Sequence, residues 1–199
     1  MKRYALCLCL VLAASVLAMP SRILAGTQVD RPTWTTGDTW SYQEGDETAT
    51  WTVLGATQDG YLVGLTTAPP VRTHTYRFDR DLIFSQALYF HPKWPLIPGD
   101  NWSYTANGPA YNRIGGNNVW VTHVMAVGWE SVTVPAGRFI SFRIHGQQCD
   151  VTQNACGDFE VWYSPQAKYT VKISYSAAPY WSHDIRGVSR VLTSYKVAP

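Results

Sequence analysis

Between residues 73 and 79 the chain alternates. His74, Tyr76 and Phe78 fall on one side, and Thr75, Arg77 and Asp79 on the other. A period of two predicts a half-covered strand. The same alternation runs over 169–175, where Tyr169, Val171, Ile173 and Tyr175 oppose Thr170, Lys172 and Ser174. Residues 117–134 are long and apolar on both sides, as in a central strand or a bent hairpin. Further strands are expected near 39–43, 49–56, 60–67, 82–90, 101–106, 138–148, 158–164 and 188–197. Turn strings separate them: "QDG" at 58–60, "APP" at 68–70, "GGNN" at 115–118 and "PAG" at 135–137. Past the amino-terminal segment no window keeps a helical period for three turns. Nine Trp and 12 Tyr suit a pleated surface. The pattern predicts an antiparallel all-β domain.

One string occurs twice. "GDTWSY" at 37–42 returns as "GDNWSY" at 99–104, each preceded by a Trp and a turn. Gly permits the turn, Asp can bond local backbone, and Trp and Tyr then share one face of the strand that follows. The repetition predicts either two related halves, 33–92 and 93–199, within a single β domain spanning 26–199, or two similar strand starts in one sheet. A chemical reading would need Asp38 or Asp100 to meet a base or a metal, and neither copy supplies a partner.

The amino-terminal segment changes the compartment. Lys2 and Arg3 precede the apolar stretch 4–18, and small residues follow, with cleavage expected after Ala18 or Ala25. This is the pattern of a secretory signal peptide, 1–25. A membrane anchor needs about 20 apolar residues, so no transmembrane anchor is expected after cleavage. Cys7 and Cys9 come too early in the apolar stretch for a lipid-attachment cysteine. The predicted location is outside the cytoplasm, in the periplasm or the medium. Cleavage after Ala25 removes Lys2, Arg3 and Arg22, leaving 13 basic against 14 acidic residues. A near-neutral chain without a basic cluster argues against nucleic acid as a partner. The remaining cysteines, Cys149 and Cys156, are expected to form a disulfide at the end of a hairpin.

Motifs that carry chemistry are scarce. The sequence holds no phosphate-binding Gly loop followed by a helix, no paired-histidine zinc motif and no serine-hydrolase elbow. No cofactor and no metal site are expected. Asp158 and Glu160 share one face of a strand, with Trp162 next on it. They are the only weak catalytic candidates, as a carboxylate pair beside a sugar platform. Asp79 and Asp81 form a second pair. The histidines are scattered. His123 alternates with Val121 and Met125 and is expected in the core, and His183 precedes Asp184 without a visible nucleophile. The tryptophan load exceeds what a core requires. Trp120, Trp129, Trp162 and Trp181 lie outside the repeated strings and are the candidate binding residues.

Three strings, "GDNWSY", "VTVPAGRFISFRI" (132–144) and "VWYSPQAKYTVKIS" (161–174), resemble those of uncharacterised secreted or periplasmic bacterial β-proteins. Those proteins share a G-x-x-W-x-Y opening, a V-P-A-G-x-F hairpin turn and a W-Y-(S/A)-P strand end. The resemblance covers roughly residues 95–195. It implies a curved antiparallel sheet, distantly like those of the lipoprotein carriers LolA and LolB. It implies no activity. The expected architecture is therefore a strongly curved sheet or incomplete barrel. The expected function is an exported, non-enzymatic binding protein that holds an apolar or amphipathic ligand, or a partner's segment, in an aromatic-lined concave face. The alternatives are a carbohydrate-binding or carbohydrate-active protein, and a structural module that pairs with another envelope protein.

Overall fold

The computed structural model describes residues 28–82, 90–109, 117–152, 154–176 and 189–199. Ten strands are present: β1 (Thr39–Glu44), β2 (Glu47–Thr57), β3 (Gly60–Ala68), β4 (Arg72–Asp79), β5 (Asn101–Pro109), β6 (Asn117–Val134), β7 (Gly137–Asp150), β8 (Ala155–Ser164), β9 (Tyr169–Tyr175) and β10 (Ser189–Lys196). No described residue is helical. All ten lie in one antiparallel sheet of order β4-β3-β2-β1-β10-β9-β8-β7-β6-β5. Each strand pairs with its successor except β4 with β5, while β1 pairs with β10. The result is an up-and-down meander left open between β4 and β5, an incomplete barrel.

The curvature shows in bonds that skip strands. Ala136, at the tip of the β6–β7 hairpin, donates its N–H to Leu192 O of β10 at 3.0 Å, across two intervening strands. The lead-in to β1 and the lead-in to β5 meet in a two-way bridge, Val29 N to Leu96 O at 2.9 Å and Leu96 N to Val29 O at 2.8 Å. These segments lead into strands six positions apart in the sheet order, so they join across its concave side.

Both copies of the repeated string start a strand in the same way. Asp38 N bonds Thr35 O at 2.9 Å and Asp100 N bonds Ile97 O at 3.1 Å, with Gly37 at φ 93° and Gly99 at φ 88°. Positive φ at the third residue of such a turn is what glycine supplies. In each copy the glycine N–H and the aspartate carbonyl then clasp one residue of the following strand, Val53 in β2 or Ala126 in β6. In each, the pairing shifts just beyond that residue, at Val53/Gly55 and at Ala126/Gly128. The skipped residues, Leu54 and Val127, are exposed.

The core falls into two clusters. β7 gives Phe139 to the first and Phe142 and Ile144 to the second. An odd spacing along a strand means opposite faces, so β7 is covered on both. β8 does the same, with Trp162 in the first cluster and Phe159, Val161 and Tyr163 in the second. The alternation over 169–175 is broken by a shift at Trp162/Tyr163. Tyr169 and Val171 pack with the first cluster, and Ile173 and Tyr175 with the second. The strand expected over 82–90 is absent at both described ends. Leu82 N closes a turn on Asp79 O at 3.1 Å with φ 63°, which ends the extended run, and Phe90 is not in a strand; 83–89 lie outside the described residues.

Candidate functional site

The concave face is aromatic, as the sequence suggests, and the protein's own lead-in segment fills it. Trp34, 4% exposed, sits among Trp40, Tyr61, Phe78 and Tyr169, with ring centroids 5.0–5.4 Å away. Its indole Nε1 donates to Lys168 O at 2.9 Å, and its backbone N–H donates to the Tyr61 hydroxyl at 3.2 Å. The turn between β8 and β9 is drawn in with it. Trp40 Nε1 donates to Ala167 O at 2.6 Å, and the Tyr42 hydroxyl donates to Thr170 O at 2.7 Å. Asp38, buried in the turn before β1, accepts from Thr35 N and from Ala198 N, both at 2.8 Å, and so ties the carboxyl-terminal residues to the same seam. Burial raises the Tyr42 hydroxyl pKa well above its ordinary value and pushes Tyr169 up to about 12, the latter partly offset by Arg190.

Beside this box lies a cavity of about 230 Å³. Arg31 and Thr33 of the lead-in segment form one wall, Ala56, Thr57 and Tyr61 of the β2–β3 hairpin another, and Arg80, just past β4, the third. Tyr61 therefore belongs both to the aromatic box and to the cavity. Arg31 Nη1 donates to Asp81 Oδ1 at 2.9 Å, and Arg80 Nη2 donates to Gln58 O at 2.8 Å.

The tryptophans singled out by sequence are not gathered around this cavity. Trp120 is 2% exposed in β6. Trp129 is half-buried, edge-on to Phe142 at 5.5 Å in the second cluster. Trp162 is in the first cluster, its Nε1 donating to Glu130 and its ring covered by Lys172 Nζ at 4.5 Å. Trp181 lies outside the described residues.

Asp158 and Glu160 do share a face of β8, and their surroundings differ. Glu160 takes a two-pronged contact from Arg143, Nε to Oε2 at 2.9 Å and Nη2 to Oε1 at 3.2 Å, and a third from His145 Nδ1 at 3.0 Å. Glu130 approaches the same guanidinium at 3.6 Å. Partial burial acts to raise the Glu160 pKa, but the hydrogen bonds from Arg143 and His145 and the Arg143 charge outweigh it, and the carboxyl sits below its ordinary value. A proton donor would need the opposite shift. Asp158 Oδ1 accepts from Gln147 Nε2 at 3.1 Å. The disulfide joins Cys149 and Cys156, which face each other across β7 and β8 with Cα atoms 4.0 Å apart.

His123 corrects the expectation of a core histidine. β6 has its alternate residues Thr122, Val124 and Ala126 buried, so His123 points to the exposed face, where Nδ1 pairs with Ser103 Oγ at 2.7 Å. His91 stacks on Tyr104 at 4.1 Å; burial pushes that tyrosine up to about 12, with hydrogen bonds to Thr122 and His91 acting against it. His183 and Asp184 lie outside the described residues. Among the described residues, no three His, Cys, Asp or Glu side chains cluster as a metal site.

Trp34, Tyr61, Arg31 and Arg80 escape sequence reasoning. Trp34 reads there only as the flank of a repeated string. The partners of its backbone N–H and indole are 27 and 134 residues away, and no local pattern reports such separations.

No protein-family model matches the chain, and no curated protein matches it in sequence. Among solved structures, it is similar to a protein with a YmcC-like fold from Bacteroides fragilis, at 15% identity and a TM-score of 0.46, covering 85% of this chain and 100% of the other. It is also similar to the hypothetical lipoprotein YmcC from Escherichia coli, at 9% identity and a TM-score of 0.47, covering 83% and 86%. Likenesses this distant say nothing of what the chain binds.

Proposed function

We propose that this chain is an exported, non-enzymatic binding protein that holds a small amphipathic ligand at the mouth of its aromatic concave face. The observation that carries the reading is the cavity of about 230 Å³ where Tyr61 leaves the aromatic box and meets two arginines. Binding sites are typically concave, with apolar walls and a few polar groups that fix orientation. Trp34 fills the aromatic box beside the cavity, so the ligand is small rather than a long acyl chain.

A binding role rather than catalysis is supported by the state of the candidate acids and bases. Glu160 is committed to Arg143 and His145. The Ser103–His123 pair is exposed on the sheet face, open to solvent. Neither arrangement couples an activated nucleophile to a sheltered site. The export reading rests on the signal-like residues 1–25.

Native mass spectrometry of the mature protein, purified gently from its cells, tests the proposal. A reproducible extra mass of metabolite size, released on unfolding, is expected. A bare mass in every preparation, together with no saturable stabilisation by any small molecule in a thermal-shift screen, would refute it.

A further inference from the structure

The cavity has a chemical bias. Its lining holds two guanidinium groups and no carboxylate. We infer that the cavity is selective for a small organic molecule carrying a single carboxylate, gripped between Arg31 and Arg80. The inference rests on the binding reading above and specifies the ligand class.

The argument starts with donors. A guanidinium carries five N–H groups in a planar fork. Arg31 uses one nitrogen on Asp81 and Arg80 one on Gln58 O. Those bonds hold each fork in place and leave further donors on both sides of the cavity. The hydroxyls of Thr33, Thr57 and Tyr61 add smaller donors. Oxygen forks that accept two parallel N–H bonds match arginine best, and carboxylate is the smallest such group with an organic body. Pro32, Ala56 and the Tyr61 ring offer that body an apolar wall. The volume of about 230 Å³ suits a small metabolite.

The single charge follows from the surroundings. Asp30 precedes Arg31, Asp79 and Asp81 bracket Arg80, and all three are exposed. Arg31 already shares its charge with Asp81, so this acidic rim repels an anion in proportion to its charge. Only the contact hydrogen bonds of the two forks hold it, which favours a monoanion over a polyanion. Pyrophosphate and nucleotides are therefore disfavoured. Arg31 also stands three residues before Trp34, so a ligand bridging Arg31 and Arg80 ties the lead-in segment to the far side of β4 and stabilises the packed box.

The test uses the intact mature chain, with butyrate as the probe, butyramide as its neutral isostere and pyrophosphate as the polyanion. Melting temperature is followed by tryptophan fluorescence at constant ionic strength. Butyrate is expected to raise it saturably, while butyramide and pyrophosphate do not. The double variant Arg31→Gln/Arg80→Gln is expected to lose the butyrate shift, and Arg72→Gln, on β4 away from the cavity, to keep it. Should the double variant lose its far-UV spectrum, Arg80→Lys, which keeps the charge and loses the fork, is expected to cut the shift by more than half. Equal shifts with butyrate and butyramide, retained in the arginine variants, would overturn the carboxylate inference and leave the cavity reading standing. The absence of any saturable shift with all three probes would overturn the inference, and the adduct search by mass spectrometry would then decide the cavity reading separately.

Discussion

The backbone N–H of Trp34 donates to the Tyr61 hydroxyl at 3.2 Å, and the two rings lie 5.3 Å apart. This contact fastens the segment before β1 to the start of β3 and defines one side of the cavity. It makes the lead-in segment part of the core.

Trp34→Ala is therefore expected to cost about 3–5 kcal/mol, the range for removing a buried Trp side chain. Urea unfolding measures it. Tyr61→Phe keeps the ring and removes only the acceptor for the Trp34 N–H, and a loss of about 1–3 kcal/mol is expected. A cost below 1 kcal/mol for Trp34→Ala would mean that the segment lies on the sheet without supporting it.

Gly37→Ala and Gly99→Ala should behave alike. Each forces a side chain into a positive-φ turn, at φ 93° and 88°, with open space around the added methyl. Backbone strain is the whole effect, about 1–3 kcal/mol at each site. Equal losses in denaturant midpoint are expected, despite the difference in burial between the two strand starts. Gly146→Ala differs in cause: its methyl would run into the Phe159 ring, so Gly146→Ala combined with Phe159→Leu should recover part of the loss.

Acid sensitivity should carry a Glu160 component. Its folded pKa is depressed by Arg143 and His145, so the stabilisation is present above the unfolded value of about 4.3. It is lost as pH falls from there through the folded pKa. Glu160→Gln should flatten that limb of the stability–pH curve, measured by urea midpoints. The effect is modest, because the carboxylate is 24% exposed and screened by solvent.

At the alkaline end the buried tyrosines dominate. Burial raises Tyr42 and Tyr163 above the ordinary tyrosine pKa and pushes Tyr104 and Tyr169 up to about 12. Unfolded tyrosines ionise near about 10, so above that pH the unfolded chain sheds protons that the folded chain retains. Stability should fall between about pH 10 and 12. Ultraviolet titration is expected to show a late group of tyrosines ionising together with loss of the near-UV circular dichroism.

Much of the fold was legible because its signals are local. The period-two run at 73–79, the strand expected over 138–148, the turn at 135–137 and the paired cysteines each depend on residues a few positions apart. The repeated Gly-Asp string gave the strand starts, and the structure adds that the clasped residue and the bulge after it recur as well, at Val53 and Ala126. Gly55 and Gly128 carried a hint of those bulges, since glycine inside a strand often marks one. His123 was misjudged because alternation says that neighbours face opposite ways without saying which way is covered. Here Thr122 and Val124 took the covered side.

By itself, the sequence determined the antiparallel β architecture, the disulfide pairing and the absence of a familiar catalytic motif. Each follows from short-range chemistry: residue alternation, turn preferences and cysteine spacing. Tertiary structure alone decided which face of each strand became core, how Trp34 came to fill the concavity, and that Arg31 and Arg80 flank one cavity. Those outcomes depend on closing the meander through the β1–β10 pair, which brings together residues far apart in the chain. Backbone pairing fixes the register of that seam, and packing across the concave side then selects which side chains meet.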